Sequence, residues 1–187
     1  MIQRLLRPLV VLLLMACNAQ PLYDMEYTVA LTINTQLHAA SLITRLEGNV
    51  GTFLFINVER PNTYHVLHIE ANSGQKETLT LTTDRENNSI FGNGIANGLI
   101  VGCIFSTDPQ SANPYAYVAY GRQCPDCKAK QATKDFSLQW ADVKTSVKCN
   151  NCGRVYNLQA VGQGLKTYRA RFDTNGMQQK FFSVSNK

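Results

Sequence analysis

The sequence predicts an all-β fold, a sandwich or barrel of antiparallel strands, and three observations support this prediction. Short apolar or alternating segments rich in Val, Ile, Thr, Tyr and Phe recur along the chain. Turn signals containing Gly, Pro or Asn separate these segments at intervals of about ten residues. No segment has the hydrophobic periodicity of a long helix. The 187 residues suffice for one domain with a substantial core.

The first half of the chain predicts four strands. Residues 26–34 alternate apolar and polar side chains, which is typical of a strand with one buried face. The nearly continuous apolar run of residues 51–58 predicts a strand that is buried on both faces. Two further strands are expected at residues 64–69 and 77–83. Residues 84–98 are rich in Asn and Gly, so we expect a loop there.

The second half predicts five more strands. Residues 99–105 are expected to form a buried strand, in which Gly102 marks a bulge or a close backbone approach. The other four are expected at residues 115–120, 154–158, 165–172 and 180–184. Functional chemistry is then expected in the loops that connect the strands.

The N-terminus predicts a secretory signal peptide. Arg4 and Arg7 precede a short apolar run, which is too brief for a permanent membrane span of about 20 residues. The sequence Leu14-Met15-Ala16-Cys17 resembles the lipobox of bacterial lipoproteins, and this resemblance implies that Cys17 is diacylated. An ordinary signal peptide, cleaved a few residues later, is the alternative.

These features predict the organisation and location of the chain. Residues 1–16 are expected to be removed, residues 17–25 to form a lipidated N-terminus and tether, and residues 26–187 to form the β domain. We therefore expect a protein of the bacterial cell envelope, anchored to a membrane through lipid and facing the periplasm or the exterior. Loss of Arg4 and Arg7 lowers the formal net charge from +5 to +3, which argues against a nucleic-acid partner.

Two C-x-x-C motifs are the main functional signal. Cys124 and Cys127 flank Pro-Asp, whereas Cys149 and Cys152 flank Asn-Asn, and 21 residues separate the two motifs. This spacing lies in the range that is typical of zinc sites. Four sulfur ligands in a tetrahedron suit a soft divalent metal. We therefore predict that these four cysteines bind one metal centre.

Three kinds of centre are compatible with the motifs. The first is a single ion such as Zn²⁺ in a closed cage of thiolates, which stabilises the fold. The second is a [2Fe-2S] cluster, which also accepts four cysteines and transfers single electrons. The third is a set of disulfides, because an exported protein lies in an oxidising compartment. A thioredoxin-type redox role is disfavoured, because neither motif is expected to open a helix.

Other side chains have predicted positions around this centre. Cys103 is expected to be a small buried hydrophobic residue. Trp140 is expected to pack the small subdomain, with a docking role as the alternative. The core is also expected to contain Phe53, Phe55, Phe105, Phe181 and Phe182. Five basic residues near the thiols are expected either to offset their charge or to form a solvated face. These are Arg122, Lys128, Lys130, Lys148 and Arg154.

The chain from about Asn97 to Val184 resembles Rieske-fold proteins. The resemblance is carried by Tyr120-Gly121-Arg122-Gln123-Cys124-Pro125, by Cys149-Asn150-Asn151-Cys152-Gly153 and by the strands around them. It implies a large β-sandwich with a small rubredoxin-like or zinc-ribbon-like subdomain at about residues 121–158, in which two hairpin tips supply the ligands.

The chain departs from the Rieske pattern at the ligands. Rieske proteins present Cys-x-His and Cys-x-x-His, whereas Cys127 and Cys152 occupy the histidine roles here. The three histidines, His38, His65 and His68, lie far upstream and are expected in the core or on the surface. A cluster without histidine ligands is expected to have a low potential.

The functional prediction is a non-catalytic, metal-stabilised interaction module. Its expected partner is an unidentified envelope protein. The alternative is a low-potential [2Fe-2S] protein that transfers single electrons to a redox partner. The sequence contains no nucleophile with a base partner, phosphate-binding glycine loop or paired-carboxylate motif, so we do not expect an enzyme.

Overall fold

A computed structural model describes residues 28–61, 63–91, 98–161 and 163–186. The predicted signal peptide, the predicted lipidation at Cys17 and the whole predicted tether therefore lie outside the described residues. Within them, the strands are β1 (Val29–Asn34), β2 (Phe53–Glu59), β3 (Val66–Ala71), β4 (Lys76–Thr80), β5 (Ile90–Phe91), β6 (Leu99–Phe105), β7 (Tyr115–Gly121), β8 (Leu138–Trp140), β9 (Ser146–Cys149), β10 (Val155–Asn157), β11 (Thr167–Thr174) and β12 (Lys180–Ser185). The helices are a 3-10 turn at Thr44–Leu46, α1 (Asp84–Asn87) and α2 (Pro125–Lys130).

The strands form two antiparallel sheets, which confirms the predicted all-β class. Nine strands make one sheet in the order β4-β3-β2-β6-β7-β11-β12-β1-β5, and this sheet curls into a half-barrel. The second sheet has the order β10-β9-β8. Together with α2 it forms a small lobe, which the chain builds between β7 and β11.

Strand β2 shows why its sequence is apolar at nearly every position. Leu54 and Ile56 point into the main core inside the curled sheet. Phe53 and Phe55 point to the opposite face, where they join the core of the small lobe. All four side chains are at most 1% exposed. The predicted burial on both faces is confirmed, because the sheet has one core on each side of this strand.

The predicted loop at residues 84–98 is partly wrong, because it contains α1 and β5. A capping box starts α1: the amide of Glu86 donates to Thr83 Oγ1 at 3.3 Å, and Glu86 reaches back to the amide of Thr83. The Thr-x-x-Glu signal for this box was present in the sequence. Strand β5 has only two residues and is held by pairing with Val29 and Ala30, which no local pattern reveals.

Gly102 lies at a close approach rather than at a bulge. It pairs with Phe53 in an unbroken register between β2 and β6. A Cβ atom at this position would lie 2.1 Å from Cδ1 of Phe53, so the ring fills the space that a side chain would need. The core prediction is wrong for Phe105, which is 71% exposed at the last position of β6, and is confirmed for the other four phenylalanines.

Candidate metal centre

The first C-x-x-C motif lies at the start of α2. Cys124 is the N-cap residue and Pro125 occupies the first turn, where its missing N–H and fixed φ are well tolerated. The amide of Lys128 donates to the carbonyl of Cys124 at 3.0 Å. Cys124 and Cys127 are therefore one helical turn apart, and their side chains share one face. The expectation that neither motif opens a helix is wrong for this motif, since a six-residue helix is too short to show periodicity.

The second motif lies at the tip of the β9–β10 hairpin. Cys149 ends β9 and Cys152 lies in the turn that follows. The turn closes through two backbone hydrogen bonds, from Gly153 N to Cys149 O at 2.8 Å and from Cys149 N to Arg154 O at 2.9 Å. Gly153 has a φ of +75°, so a side chain there would be strained.

The fold brings all four thiols together. Their sulfur atoms lie within 4.8 Å of one another. The distances from Cys124 to Cys152 and from Cys127 to Cys149 are both 3.7 Å. Four zinc–sulfur bonds of about 2.3 Å define a tetrahedron with edges of about 3.8 Å, so the spacing fits a four-coordinate ion. A disulfide requires about 2.05 Å, and all four cysteines are free in this structure.

The thiols differ in exposure. Cys124, Cys127 and Cys149 are at most 4% exposed, whereas Cys152 is exposed. Burial raises the pKa of the Cys149 thiol, and backbone hydrogen bonds from Cys152 and Asn151 oppose this shift. A backbone hydrogen bond from Arg154 lowers the pKa of Cys152 to about 7. A cation bound here would favour the thiolate form of each ligand further.

Two polar side chains hydrogen-bond to the sulfur atoms. The Tyr156 hydroxyl lies 3.3 Å from Cys124 Sγ, and Asn151 Nδ2 donates to Cys127 Sγ at 3.2 Å. Tyr156 is 1% exposed, and burial together with Cys124 raises its pKa. The protonated hydroxyl therefore donates when Cys124 is a thiolate. The motifs did not identify Tyr156 as a site residue. It lies between the exposed residues Val155 and Asn157 on β10, and this alternation along a strand is the signal that could have indicated an inward side chain.

The five basic residues near the motifs do not converge on the sulfur atoms. Arg154 forms an ion pair with Asp126, and Lys128 Nζ lies 3.7 Å from Asp135. Lys130 and Lys148 are exposed. Together with Cys127 and Cys152, three of these charged residues, Asp126, Lys130 and Arg154, help to line a surface depression beside the thiols.

Arg122, the fifth basic residue, joins the small lobe to the large sheet. Its Nε donates to the carbonyl of Leu138 at 2.9 Å, and its guanidinium lies 4.0 Å from the ring centre of Phe55. Trp140 stacks on Phe55 with ring centres 3.7 Å apart and an interplanar angle of 7°. Trp140 was expected to pack in the small subdomain, and it packs against the core of the lobe, where its partner is Phe55 of β2. Phe55 is thus a docking residue of the lobe.

The histidines lie away from the four thiols. His38 Nε2 is 3.0 Å from the buried carboxylate of Glu86, and His68 Nε2 is 3.1 Å from Glu59. His65 is buried beside α1, where its amide donates to Asn87. In the described part of the chain, the one group of potential metal ligands consists of the four cysteines. The expectation that the histidines are core or surface residues is confirmed.

Among the residues that the structure describes, no helix has the length and apolar character needed to cross a membrane. Comparisons of the chain with protein families, with curated proteins and with solved structures find no match.

Proposed function

We propose that Cys124, Cys127, Cys149 and Cys152 bind one Zn²⁺ ion in a structural centre, and that the protein is a non-catalytic interaction module stabilised by this ion. The observation that carries the proposal is the mutual approach of the four sulfur atoms to within 4.8 Å. Two edges of 3.7 Å match the edge of about 3.8 Å that tetrahedral zinc–sulfur bonds require.

The compactness of the four sulfur atoms favours one ion over a two-iron cluster. In a [2Fe-2S] cluster each iron takes two of the four thiolates, and two sulfides lie between the irons. The two thiolate pairs must then be farther apart than one tetrahedral edge. A cage whose sulfur atoms are all within 4.8 Å of one another supports a single ion at its centre.

The environment of the thiols favours a structural role. Four protein ligands fill the coordination of a tetrahedral ion and leave no position for a substrate or a water. Three of the ligands are buried, and their side chains form part of the core of the small lobe. The ion would therefore hold α2 against the β9–β10 hairpin, and its binding energy would contribute to folding.

The setting that we propose is the bacterial cell envelope, with the domain anchored through a lipid on Cys17. The lipobox-like sequence before Cys17 supports this setting. The resemblance of the motif region to Rieske-fold proteins supports a role within an envelope complex, with an envelope protein as the partner. The alternative function is single-electron transfer by a [2Fe-2S] cluster, and the exposure of Cys152 favours it because electron transfer needs a ligand near the surface.

Metal analysis and the visible spectrum of a chain from residue 18 onward test the proposal. Such a chain retains every described element, since β1 begins at Val29. The expected result is a colourless protein with one zinc per chain. A brown protein with two irons and acid-labile sulfide would establish the electron-transfer alternative. A metal-free chain in which Cys103 is the sole thiol that reacts after denaturation would establish disulfides instead.

A further inference from the structure

The small lobe carries most of the positive charge of the protein. Residues 121–158 contain seven Lys or Arg, three Asp and no Glu, a formal net charge of +4, whereas the whole chain has +5. One divalent ion with four thiolates adds about −2 and leaves the lobe basic. Lys130, Lys134 and Lys148 are exposed and form no ion pair within the described residues.

The metal-binding tip lies at one defined end of the large sheet. The chain leaves β7 at Gly121, and the carbonyl of Arg122 then accepts a hydrogen bond from the amide of Leu138 at 3.2 Å. Leu138 pairs with Cys149 in the small sheet. From Leu138, β8 runs back over the sheet to Trp140, which stacks on Phe55. The hairpin tip with Cys152 therefore projects at the end of the sheet where β7 stops.

The described chain begins at this same end. Val29, the first residue of β1, donates its amide to Asn186 Oδ1 at 3.1 Å. Ser185, next to Asn186, pairs with Arg169 at the start of β11. Strand β11 pairs in turn with the end of β7, where Thr167 lies opposite Tyr120. Strands β1 and β7 are three positions apart in the sheet, which corresponds to about 14 Å.

The short tether then limits how far the tip lies from a membrane. Ten residues, 18–27, separate Cys17 from the first described residue, and ten extended residues span at most about 35 Å. A lipid on Cys17 would hold this end of the sheet near the bilayer surface. The exposed lysines of the tip would then lie near the lipid headgroups, where each cation gains about 1 kcal/mol from an anionic surface.

We propose that the basic tip of the small lobe, defined by Lys130, Lys134 and Lys148, docks on anionic lipid headgroups of the membrane that holds the lipid on Cys17. The inference extends the proposed function and depends on the proposed lipid anchor for its setting. The docked lobe turns its metal-binding end toward the membrane and leaves the opposite end of the sheet, with Phe105 and the 3-10 turn, for contacts with other proteins.

Co-sedimentation of the zinc-loaded chain from residue 18 with vesicles tests this inference. The chain lacks the lipid, so binding reports on the protein surface alone. The expected result is binding to vesicles of phosphatidylcholine with phosphatidylglycerol, no binding to phosphatidylcholine alone, and weaker binding as salt rises. The Lys130→Gln, Lys134→Gln, Lys148→Gln triple variant should bind roughly a hundredfold more weakly, about fivefold for each lysine.

A matched triple variant removes the same charge from the opposite end of the sheet. Arg45, Lys144 and Lys180 are exposed. Lys180 starts β12 at this end, and its Nζ lies 3.4 Å from the carboxylate of Glu47, close in sequence to Arg45. Lys144 lies at the same end, because its carbonyl accepts a hydrogen bond from the side-chain amide of Asn72, which follows β3. Replacement of all three by Gln should leave the affinity for vesicles within about threefold of that of the parent chain. Salt screens charges at this distance, so they contribute little to attraction by the anionic surface.

Two results would overturn the inference: no preference for anionic vesicles, or equal weakening by both triple variants, which would mean unspecific attraction by net charge. Zinc content is measured on every variant. A parent chain that holds one zinc but does not bind anionic vesicles would refute the docking inference alone, whereas a parent chain without zinc would refute the proposed metal centre.

Discussion

Phe55→Ala should separate the small lobe from the large sheet without removing a metal ligand. The Phe55 ring is 1% exposed and contacts both Trp140, at 3.7 Å between ring centres, and the guanidinium of Arg122, at 4.0 Å. Truncation of a buried phenylalanine costs about 3–5 kcal/mol. The stacked pair accounts for about 1 kcal/mol of this loss, beyond what area burial contributes.

Urea unfolding of the zinc-loaded chain from residue 18 measures this loss. Trp140 is the single tryptophan of the chain, so its fluorescence reports directly on the contact between the small lobe and Phe55 of β2. We expect a fall of about 3–5 kcal/mol in the free energy of unfolding, a changed emission of Trp140 in the native baseline, and one retained zinc per chain.

Phe105→Ala is the matched control, since this ring is 71% exposed. Its effect should lie within about 0.5 kcal/mol. If Phe55→Ala lowers the free energy of unfolding by less than about 1 kcal/mol, Phe55 does not hold the lobe against the sheet. Its burial between Trp140 and Arg122 would then contribute no more to stability than an exposed side chain does.

Three further predictions concern the core, the metal and pH. Gly102→Ala should lower the free energy of unfolding by about 1–3 kcal/mol, because its Cβ would lie 2.1 Å from the Phe53 ring. Denaturant titration measures the loss of stability. Adding Phe53→Leu to the Gly102→Ala chain should recover part of the lost stability. Cys127→Ser should abolish zinc binding and lower the melting temperature. The control Cys103→Ser, outside the site, should retain one zinc. An unchanged melting temperature with bound metal in Cys127→Ser would contradict the assignment of Cys127 as a metal ligand. Burial lowers the pKa of His65, so the unfolded chain binds a proton more readily than the folded one and stability should fall as pH drops below about 6.5. His65→Gln should flatten that part of the pH profile, and an unchanged profile would refute the role of this histidine.

The lobe connects the local chemistry of the thiols to the stability of the whole domain. Its core is continuous with the outer face of β2, β6 and β7, through side chains such as Phe53, Ile100 and Tyr120. The Tyr120 hydroxyl donates to the carbonyl of Leu158 at 3.3 Å, at the base of the β9–β10 hairpin. Loss of the metal should therefore loosen one of the two cores of the sheet.

The elements that could be predicted from the sequence are those with a local physical cause. Alternation of apolar and polar residues predicted β1 and β4, and continuous apolar runs predicted β2 and β6, because a strand's two faces follow a period of two. The paired C-x-x-C motifs predicted a four-thiol site through their spacing alone.

Tertiary structure decided the features whose partners are distant in sequence. Strands β5, β8 and β9 have two to four residues each, which is too short for a recognisable hydrophobic pattern. They are strands because of their partners: β5 pairs with Val29 of β1, and β8 and β9 pair with each other. The contact between Phe55 and Trp140 joins residues 85 positions apart. The hairpin tip with Cys152 and the start of β1 lie at the same end of the large sheet because of the strand order. That order depends on long-range pairing, which no local window of sequence contains.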